Sequence, residues 1–84
     1  MSYEILISQD FFKALKKLSK SIKKEILDVL EEIAEDPYRF KRLRYNLKGF
    51  FSARVGKFRI IYRVNEDEKC VEIYAFEHRK KVYR

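Results

Sequence analysis

Apolar and polar residues alternate on both sides of positions 56–57, and this pattern predicts two β-strands joined by a tight turn. The connection is Gly-Lys, and glycine readily takes the positive φ that two-residue hairpin turns need. In this register Arg54 lies opposite Arg59 on the partner strand. Side chains alternate between the two faces of a sheet, so Arg54, Arg59 and Arg63 share one face. The other face carries the apolar set: Phe51, Ala53, Val55, Phe58, Ile60 and Tyr62.

The two facing arginines have an energetic consequence. Like charges directly opposite each other destabilise a sheet, so the Arg54–Arg59 pair costs stability unless an anion lies over it. The pair is therefore a candidate anion-binding site.

The segment before position 37 predicts one strand followed by two helices. Residues 3–7 are short, apolar and β-prone, and Ser8 is suited to cap a helix that begins near Gln9. Ser19 or Ser21 caps the second helix, which ends at Asp36-Pro37. We expect the two helices to form an antiparallel hairpin. The apolar residues at helical spacing are Phe11, Phe12, Leu15 and Leu18 in the first helix, and Ile22, Ile26, Val29, Leu30 and Ile33 in the second.

Residues 38–49 mix basic and aromatic side chains without a clear period, and we interpret them as a connector to a strand that starts near Phe50. The mixture suits nucleic acid, because cations bind phosphate and aromatic rings stack on unpaired bases. Alternatively, the apolar members only close the edge of the core: Phe40, Leu43, Leu47 and Phe50.

Beyond the hairpin, residues 65–69 form a polar turn and residues 70–76 alternate as a last strand. The predicted fold class is thus α+β, in a single domain over residues 1–84. It consists of an N-terminal strand, the helical hairpin and a mainly antiparallel sheet of about three further strands, with a basic C-terminal tail.

Charge is unevenly distributed along the chain. Lys and Arg outnumber Asp and Glu by 20 to 13, for a net charge of +7. Residues 37–64 contain nine basic residues and no acidic one, whereas residues 25–36 contain six acidic residues and no basic one. This excess and segregation favour an anionic partner, either nucleic acid or an acidic protein.

The residue types exclude several classes of function. One cysteine, Cys70, and one histidine are too few for an internal disulfide or a zinc site, so we expect no metal and no cofactor. We interpret Cys70 as a small apolar core residue. No run of residues resembles a signal peptide or a membrane span, so we expect a cytoplasmic protein.

The residues that follow the last predicted strand are candidates for chemistry. Residues 77–84 include the only histidine, His78, and a tyrosine, Tyr83, two side chains that suit proton transfer. They become candidate catalytic groups if they converge on Arg54 and Arg59.

Three motifs carry a resemblance to a known family. They are Leu-Lys-Gly at 47–49, Arg-Val-Gly-Lys-Phe-Arg-Ile-Ile-Tyr at 54–62 and His-Arg-Lys-Lys-Val-Tyr at 78–83. With the order of elements, they resemble the RelE/ParE superfamily of toxin–antitoxin toxins over essentially the whole chain, and we favour the RelE-like branch. The resemblance implies a fold similar to microbial ribonucleases. In RelE-like members it implies metal-independent cleavage of mRNA in the ribosomal A site, by attack of a 2′-hydroxyl on the adjacent phosphate.

The resemblance also implies roles for individual residues. Arg59 matches the arginine that contacts phosphate, Arg54 a basic residue on the facing strand, and Arg79 a second arginine. Tyr83 matches a tyrosine that stacks on a base or assists proton transfer, and His78 is the candidate acid or base.

One departure from the RelE pattern leaves the general base open. Ser52 stands where that pattern has a lysine, and Lys48 is a possible replacement cation. The further RNA-binding candidates are Arg44, Lys48, Lys57, Arg63, Lys80 and Lys81.

Three functions are therefore compatible with the sequence. The favoured one is a toxin that cleaves mRNA on the ribosome and inhibits translation. The second is a ParE-like toxin that inhibits DNA gyrase, and the third is a non-catalytic domain that binds RNA or protein. In each case we expect a cognate antitoxin, an acidic and partly disordered segment that covers the Arg54/Arg59 face or displaces the tail.

Overall fold

The hairpin and the predicted helices assemble into a mixed five-stranded sheet covered by helices on one face. The computed structural model describes residues 2–78. The elements are β1 (Glu4–Leu6), α1 (Gln9–Lys16), α2 (Lys20–Glu35), β2 (Lys41–Arg42), β3 (Phe50–Val55), β4 (Phe58–Asn65) and β5 (Cys70–His78). The sheet has the order β1-β5-β4-β3-β2; β1 runs parallel to β5, and the remaining neighbours are antiparallel.

Serine residues cap both helices. The Ser8 hydroxyl accepts a hydrogen bond from the Phe11 N–H at 3.1 Å, and the Ser19 hydroxyl accepts one from the Ile22 N–H at 3.4 Å. Ser19 rather than Ser21 is thus the cap of α2. The prediction that Phe12 shares the buried apolar face of α1 is wrong. Its side chain is 47% exposed, and the Lys16 ammonium lies 5.2 Å from the centre of its ring. One helical step of about 100° from Phe11 moves it to the edge of the buried face.

The core lies between the helices and one face of the sheet, which we call the inner face. The predicted hairpin register is confirmed, with Val55 opposite Phe58 and Arg54 opposite Arg59. Gly56 has a φ of 55°, and its positive value at the first central position is typical of a type II′ turn. The buried residues of the core cluster are Phe11, Ile26, Leu30, Ile33, Phe51, Ala53, Val55, Ile60, Tyr62 and Val71.

Tyr62 links this core to the connector. Its side chain is 0% exposed, and its ring stacks on Phe51 with 5.4 Å between centroids and meets Phe40 edge-on at 6.4 Å. The hydroxyl donates a hydrogen bond of 2.6 Å to the Pro37 carbonyl. Burial, and secondarily the charge of Asp36, raises the pKa of Tyr62, so the phenol remains a donor.

The connector contains more regular structure than the sequence pattern predicts. Besides β2 it holds two short 3-10 turns, Pro37–Arg39 and Tyr45–Leu47. In β2, Lys41 lies opposite Ser52 and Arg42 opposite Phe51, so four strands follow the helices rather than three. Lys41 and Arg42 show no apolar alternation, so the sequence pattern does not indicate a strand there. They form a strand because their backbone pairs with the edge of β3. At the other end of the sheet, β5 runs two residues beyond its predicted end at position 76.

A cluster around Glu66 joins three separate segments of the chain. Its carboxylate accepts hydrogen bonds from the Tyr3 hydroxyl at 2.9 and 3.0 Å, from the Tyr38 hydroxyl and from the Lys69 ammonium. Lys69, followed by the two tyrosines, lowers the pKa of Glu66 to about 2. The Glu66 carboxylate in turn raises the pKa of Tyr38 to about 12. The residues before β1, after α2 and after β4 are thereby held together.

No helix within residues 2–78 has both the length and the apolar character needed to cross a membrane.

We predict that Tyr62→Phe lowers the free energy of unfolding by about 1 kcal/mol, because it leaves the ring in place and removes the bond to the Pro37 carbonyl. Urea denaturation measures the change, and the m-value stays that of the wild type. Tyr45→Phe is the control for loss of an exposed phenol, because the Tyr45 side chain is 89% exposed. An unchanged free energy of unfolding in the Tyr62 variant would show that its hydroxyl does not hold the connector.

We predict that Glu66→Gln reduces the acid sensitivity of the fold. The pKa of Glu66 falls from 4.5 to about 2 on folding, so its stabilisation is complete above pH 4.5 and is lost as the pH falls towards 2. The wild type therefore loses more thermal stability than the variant between pH 6 and pH 3, measured by circular dichroism. Glu68→Gln, in the same turn, keeps the wild-type pH dependence. Identical pH profiles for wild type and Glu66→Gln would refute this account.

Candidate functional site

The face of the sheet opposite the helices, which we call the outer face, carries the arginines of the hairpin. The register gives three cross-strand rows on this face. The rows are Phe50, Arg63 and Glu72; Ser52, Ile61 and Ala75; and Arg54, Arg59 and Glu77. The three arginines of the hairpin therefore share one surface with two glutamates of β5, while the apolar side chains of the inner face form the core.

The Arg54–Arg59 row combines exposed positive charge with an unsatisfied donor. Arg54 is exposed, and Arg59 is half-buried. Within residues 2–78, Arg59 forms no ion pair, and its buried Nε atom has no hydrogen-bond partner. A buried donor without an acceptor is costly, and the neighbouring Arg54 adds repulsion. Oxygen atoms of a phosphate or carboxylate would relieve both costs, because guanidinium groups bind them in a fork geometry.

Glu77 completes this row, and sequence reasoning missed it. It lies on β5 opposite Arg59 and is half-buried. Strand alternation therefore puts a carboxylate on the same face as the two arginines. Extending the last strand without a break in the ladder would instead place Phe76 opposite Arg59. The observed pair of Arg59 and Glu77 depends on a register shift between Ile61 and Tyr62, which the sequence pattern does not indicate.

His78 does not join Arg54 and Arg59 on the outer face. Its register partner is Phe58, and the two rings meet edge-on at 5.3 Å. Phe58 stacks on Phe76 at 4.9 Å, and Phe76 contacts Phe11 of α1, so this group belongs to the inner face. The physical reason is that consecutive strand residues point to opposite sides, and Glu77 takes the outer position.

The other predicted residues are distributed over several places. Arg63 is on the outer face, but its Nε is 2.6 Å from the Glu72 carboxylate, which offsets its charge. Lys57 is exposed at the hairpin turn, and Ser52 lies between Phe50 and Arg54 on the outer face. The remaining candidates lie outside the described residues: Arg79, Lys80, Lys81 and Tyr83.

An aromatic pair on the outer face was not predicted. A register shift in the β4–β5 ladder pairs Tyr62 with Ile73 and Ile61 with Ala75, which leaves Tyr74 as a bulged residue. Tyr74 is 64% exposed, and its ring lies 4.8 Å from that of Phe50. Alternation within β5 gives no indication of a bulge, because that depends on pairing with β4.

Arg44 and Lys48 come together in an open groove along the connector. The groove has a volume of about 1200 Å³ and adjoins the β2 edge of the sheet. Its lining is Tyr38, Phe40, Lys41, Arg42, Leu43, Arg44, Tyr45, Lys48, Gly49, Phe50, Phe51 and Val64. The mixture of basic and aromatic residues read from the sequence is thus one continuous surface.

Comparison with known proteins identifies the family. Residues 5–83 match the family model described as the ParE toxin of the type II toxin–antitoxin system parDE. The chain belongs to this toxin family. The predicted RelE/ParE resemblance is thereby confirmed.

The relatives of this ParE-family toxin include proteins named RelE. The candidate toxin RelE4 of Methanocaldococcus jannaschii is 37% identical over 86 residues, which cover 98% of this chain and 92% of the relative. Toxin RelG of Mycobacterium tuberculosis is 31% identical over 86 residues, which cover 100% of this chain and 99% of the relative.

Solved structures of similar fold include toxin–antitoxin complexes. The RelBE2 complex of Mycobacterium tuberculosis contains a chain with a TM-score of 0.81 and 30% identity, covering 94% of this chain and 100% of that one. The archaeal RelE–RelB complex of Pyrococcus horikoshii gives a TM-score of 0.78 and 27% identity, over 94% and 97% of the two chains. This ParE-family toxin is therefore RelE-like in both sequence and fold.

We predict that Arg54→Glu stabilises the toxin by about 0.2–1 kcal/mol, because it places opposite charges across from each other in the hairpin. Urea denaturation at low salt measures the gain, which shrinks in 1 M NaCl, where charges are screened. Lys57→Glu makes the same change of charge at the turn, opposite no arginine, and is the matched control. Equal effects of the two substitutions would show that the Arg54–Arg59 repulsion is negligible.

Proposed function

We propose that this toxin is a metal-independent endoribonuclease that cleaves mRNA on the ribosome, with the Arg54–Arg59–Glu77 row of the outer face as its phosphate site. The observation that carries the proposal is the buried Nε of Arg59, which has no hydrogen-bond partner among residues 2–78 and lies opposite a second arginine. Neither guanidinium group forms an ion pair with another of these residues, so both suit the charge that develops on a phosphate during transfer. The similarity to relatives named as RelE4 and RelG toxins supports the RelE-like branch, for which the sequence resemblance implies this reaction.

The proposed reaction is an internal phosphoryl transfer within the RNA. The 2′-oxygen attacks the adjacent phosphorus, and the bond from phosphorus to the 5′-oxygen of the next nucleotide breaks. A base removes the 2′-proton and an acid protonates the 5′-oxygen, so the products are a 2′,3′-cyclic phosphate and a 5′-hydroxyl. Arg54 and Arg59 stabilise the negative charge that gathers on the non-bridging oxygens.

Glu77 is the group that we assign to the 2′-proton. Ser52 carries no basic group, and His78 lies at an inner-face position next to Phe58. Glu77 occupies the outer face beside Arg59, so a phosphate bound by the arginines would bring its ribose to this carboxylate. Arg79 is the next residue after β5 in the sequence, and Tyr83 comes four residues later. We retain for Arg79 the role of second arginine and for Tyr83 that of base stacking or proton transfer.

We also propose a cognate antitoxin as the partner of this chain. Two structural relatives were solved as toxin–antitoxin complexes. An acidic segment of such a partner would place carboxylates over the Arg54–Arg59 pair, which satisfies the same donors as phosphate does. The antitoxin would thereby cover the site, and the free toxin would act in the cytoplasm, where ribosomes translate.

A second candidate function is inhibition of DNA gyrase, because the matching family model is that of ParE. This function needs a protein-binding surface and no RNA chemistry. In that case the wild type would not cleave RNA, so substitution of Arg59 or Glu77 would change nothing in a cleavage assay. The purified protein would instead block supercoiling by gyrase.

We predict that Arg59→Ala reduces the rate of mRNA cleavage about 10²–10³-fold, the usual effect of removing one group that stabilises the transition-state charge. Glu77→Gln reduces it about 10²–10⁴-fold, as expected for a general base, while RNA binding remains. The measurement uses purified toxin, programmed ribosomes and primer extension, with analysis of the new ends. Lys13→Ala, an exposed change on α1, is the control. Cleavage by Arg59→Ala at the wild-type rate, or ends that lack a cyclic phosphate, would contradict the proposal.

A further inference from the structure

The groove along residues 38–51, which we call the connector groove, has a lining that attracts anions. Among the residues of 2–78 that line it, four are cationic, namely Lys41, Arg42, Arg44 and Lys48, and none is acidic. The Arg42 guanidinium lies 5.0 Å from the Phe51 ring, which fixes one cation against the wall. The groove is therefore an electropositive channel with aromatic sides.

Tyr45 is the unusual residue of this groove. Its side chain is 89% exposed, although a tyrosine ring gains stability from burial. Its backbone has a φ of 60°, a conformation that non-glycine residues seldom adopt. The fold thus presents an aromatic ring to solvent, on a strained backbone and between Arg44 and Lys48 along the lining. Strain of this kind is concentrated at functional sites.

We infer that the connector groove binds a single-stranded segment of RNA, with its phosphates on the four cations and an unpaired base stacked on Tyr45. Cations that follow a backbone, combined with exposed rings for bases, are the two components of single-strand recognition. The carboxylates of an acidic protein segment would satisfy the cations, but they do not stack on the exposed ring of Tyr45 as a base does. The inference rests on the proposed function, because it assigns the groove to the RNA that the outer face cleaves.

The groove connects with the outer face through Phe50. Phe50 lines the groove, and its ring also lies 4.8 Å from that of Tyr74 on the outer face. From Phe50 to Arg54 the strand rises four residues, or roughly 13 Å. One RNA strand can therefore occupy the groove and continue over the aromatic pair to the arginines. The groove determines where the strand enters, and the Arg54–Arg59–Glu77 row determines where it is cut.

The experiment measures binding without cleavage. The probe is a short fluorescein-labelled RNA with 2′-O-methyl groups at every position, which cannot undergo attack by a 2′-hydroxyl. Fluorescence anisotropy over a range of salt concentrations gives the affinity and its salt dependence. Tyr45→Ala weakens binding by roughly tenfold and leaves the salt slope unchanged, because it removes stacking and no charge. Lys48→Ala weakens binding and lowers the salt slope by about 0.7, the value for one phosphate contact with a single strand.

Two matched variants control for general effects. Phe12→Ala removes a half-exposed ring from α1, and Lys13→Ala removes an exposed cation from the same helix. Both bind the probe as the wild type does. Circular dichroism spectra establish that each variant is folded. Tyr45→Gly lacks the ring as Tyr45→Ala does, but glycine accepts the positive φ, so comparison of these two variants isolates the effect of the strained backbone.

Three outcomes would overturn the inference. In the first, Tyr45→Ala and Lys48→Ala bind the probe as well as the wild type. In the second, the α1 controls lose as much affinity as the groove variants, so binding is not localised. In the third, a polyglutamate peptide binds through Tyr45 and Lys48 more tightly than the RNA, which makes the groove a protein site.

The same experiment separates this inference from the proposed function. Groove-dependent binding together with the absence of cleavage by the wild type would reject the ribonuclease and retain the groove. Cleavage that depends on Arg59, with binding indifferent to Tyr45 and Lys48, would retain the ribonuclease and reject the groove.

Discussion

The hydrogen bond from the Tyr62 hydroxyl to the Pro37 carbonyl ties the two halves of the molecule together. Tyr62 is in the middle of β4 and fully buried, and Pro37 is the first residue after α2 and its cap. A buried hydroxyl needs a partner, and this carbonyl is available because the helix has just ended there. The bond therefore fixes where the chain leaves the helical layer. The connector, which contains β2 and lines the basic groove, begins at that exit point.

The two faces of the hairpin contribute to stability with opposite signs. On the inner face, Ala53 and Ile60 are both fully buried and require a fixed register. A slip of one residue would turn the arginines into the core, so the apolar face holds Arg54 and Arg59 opposite each other despite their repulsion. The stabilisation from core packing thus offsets the repulsion between Arg54 and Arg59. This combination of a locally unfavourable pair on a strongly specified scaffold is typical of functional sites.

Features of this structure that depend on residues close together in the sequence were predicted, and features that depend on pairing between separate strands or segments were not. The hairpin register depends on alternation and on Gly56, and the helix starts depend on Ser8 and Ser19, so short segments were sufficient to predict them. The β2 strand and the bulge at Tyr74 were missed because both arise from pairing between distant segments. The Glu66 cluster joins residues 63 positions apart, and no local pattern indicates it.

The candidate site was predictable to the same degree. Arg54 and Arg59 follow from the hairpin alone, and Arg44 and Lys48 from composition. The placement of Glu77 and His78 requires the length of β5, which the apolar pattern ended two residues too early, and also the register shift at Tyr74. A polar pair at the end of a strand continues the ladder without any change in hydrophobicity. Tyr45 was unremarked in the sequence because its exposure and positive φ are properties of the folded loop.

Charge is unevenly distributed over the surface of the molecule. Glu25, Asp28 and Glu31 are exposed on α2, whereas the connector groove at the β2 edge is lined by cations and by no acidic residue within the described part of the chain. Lysines of α1 and of the first turn of α2 are also exposed on the helical side, so positive charge is not confined to one side of the sheet. The net field is therefore positive and is weakest over the acidic part of α2. Screening limits this field to about 10 Å at moderate salt, so the local arrangement of cations in the groove matters more than the net charge of the whole molecule.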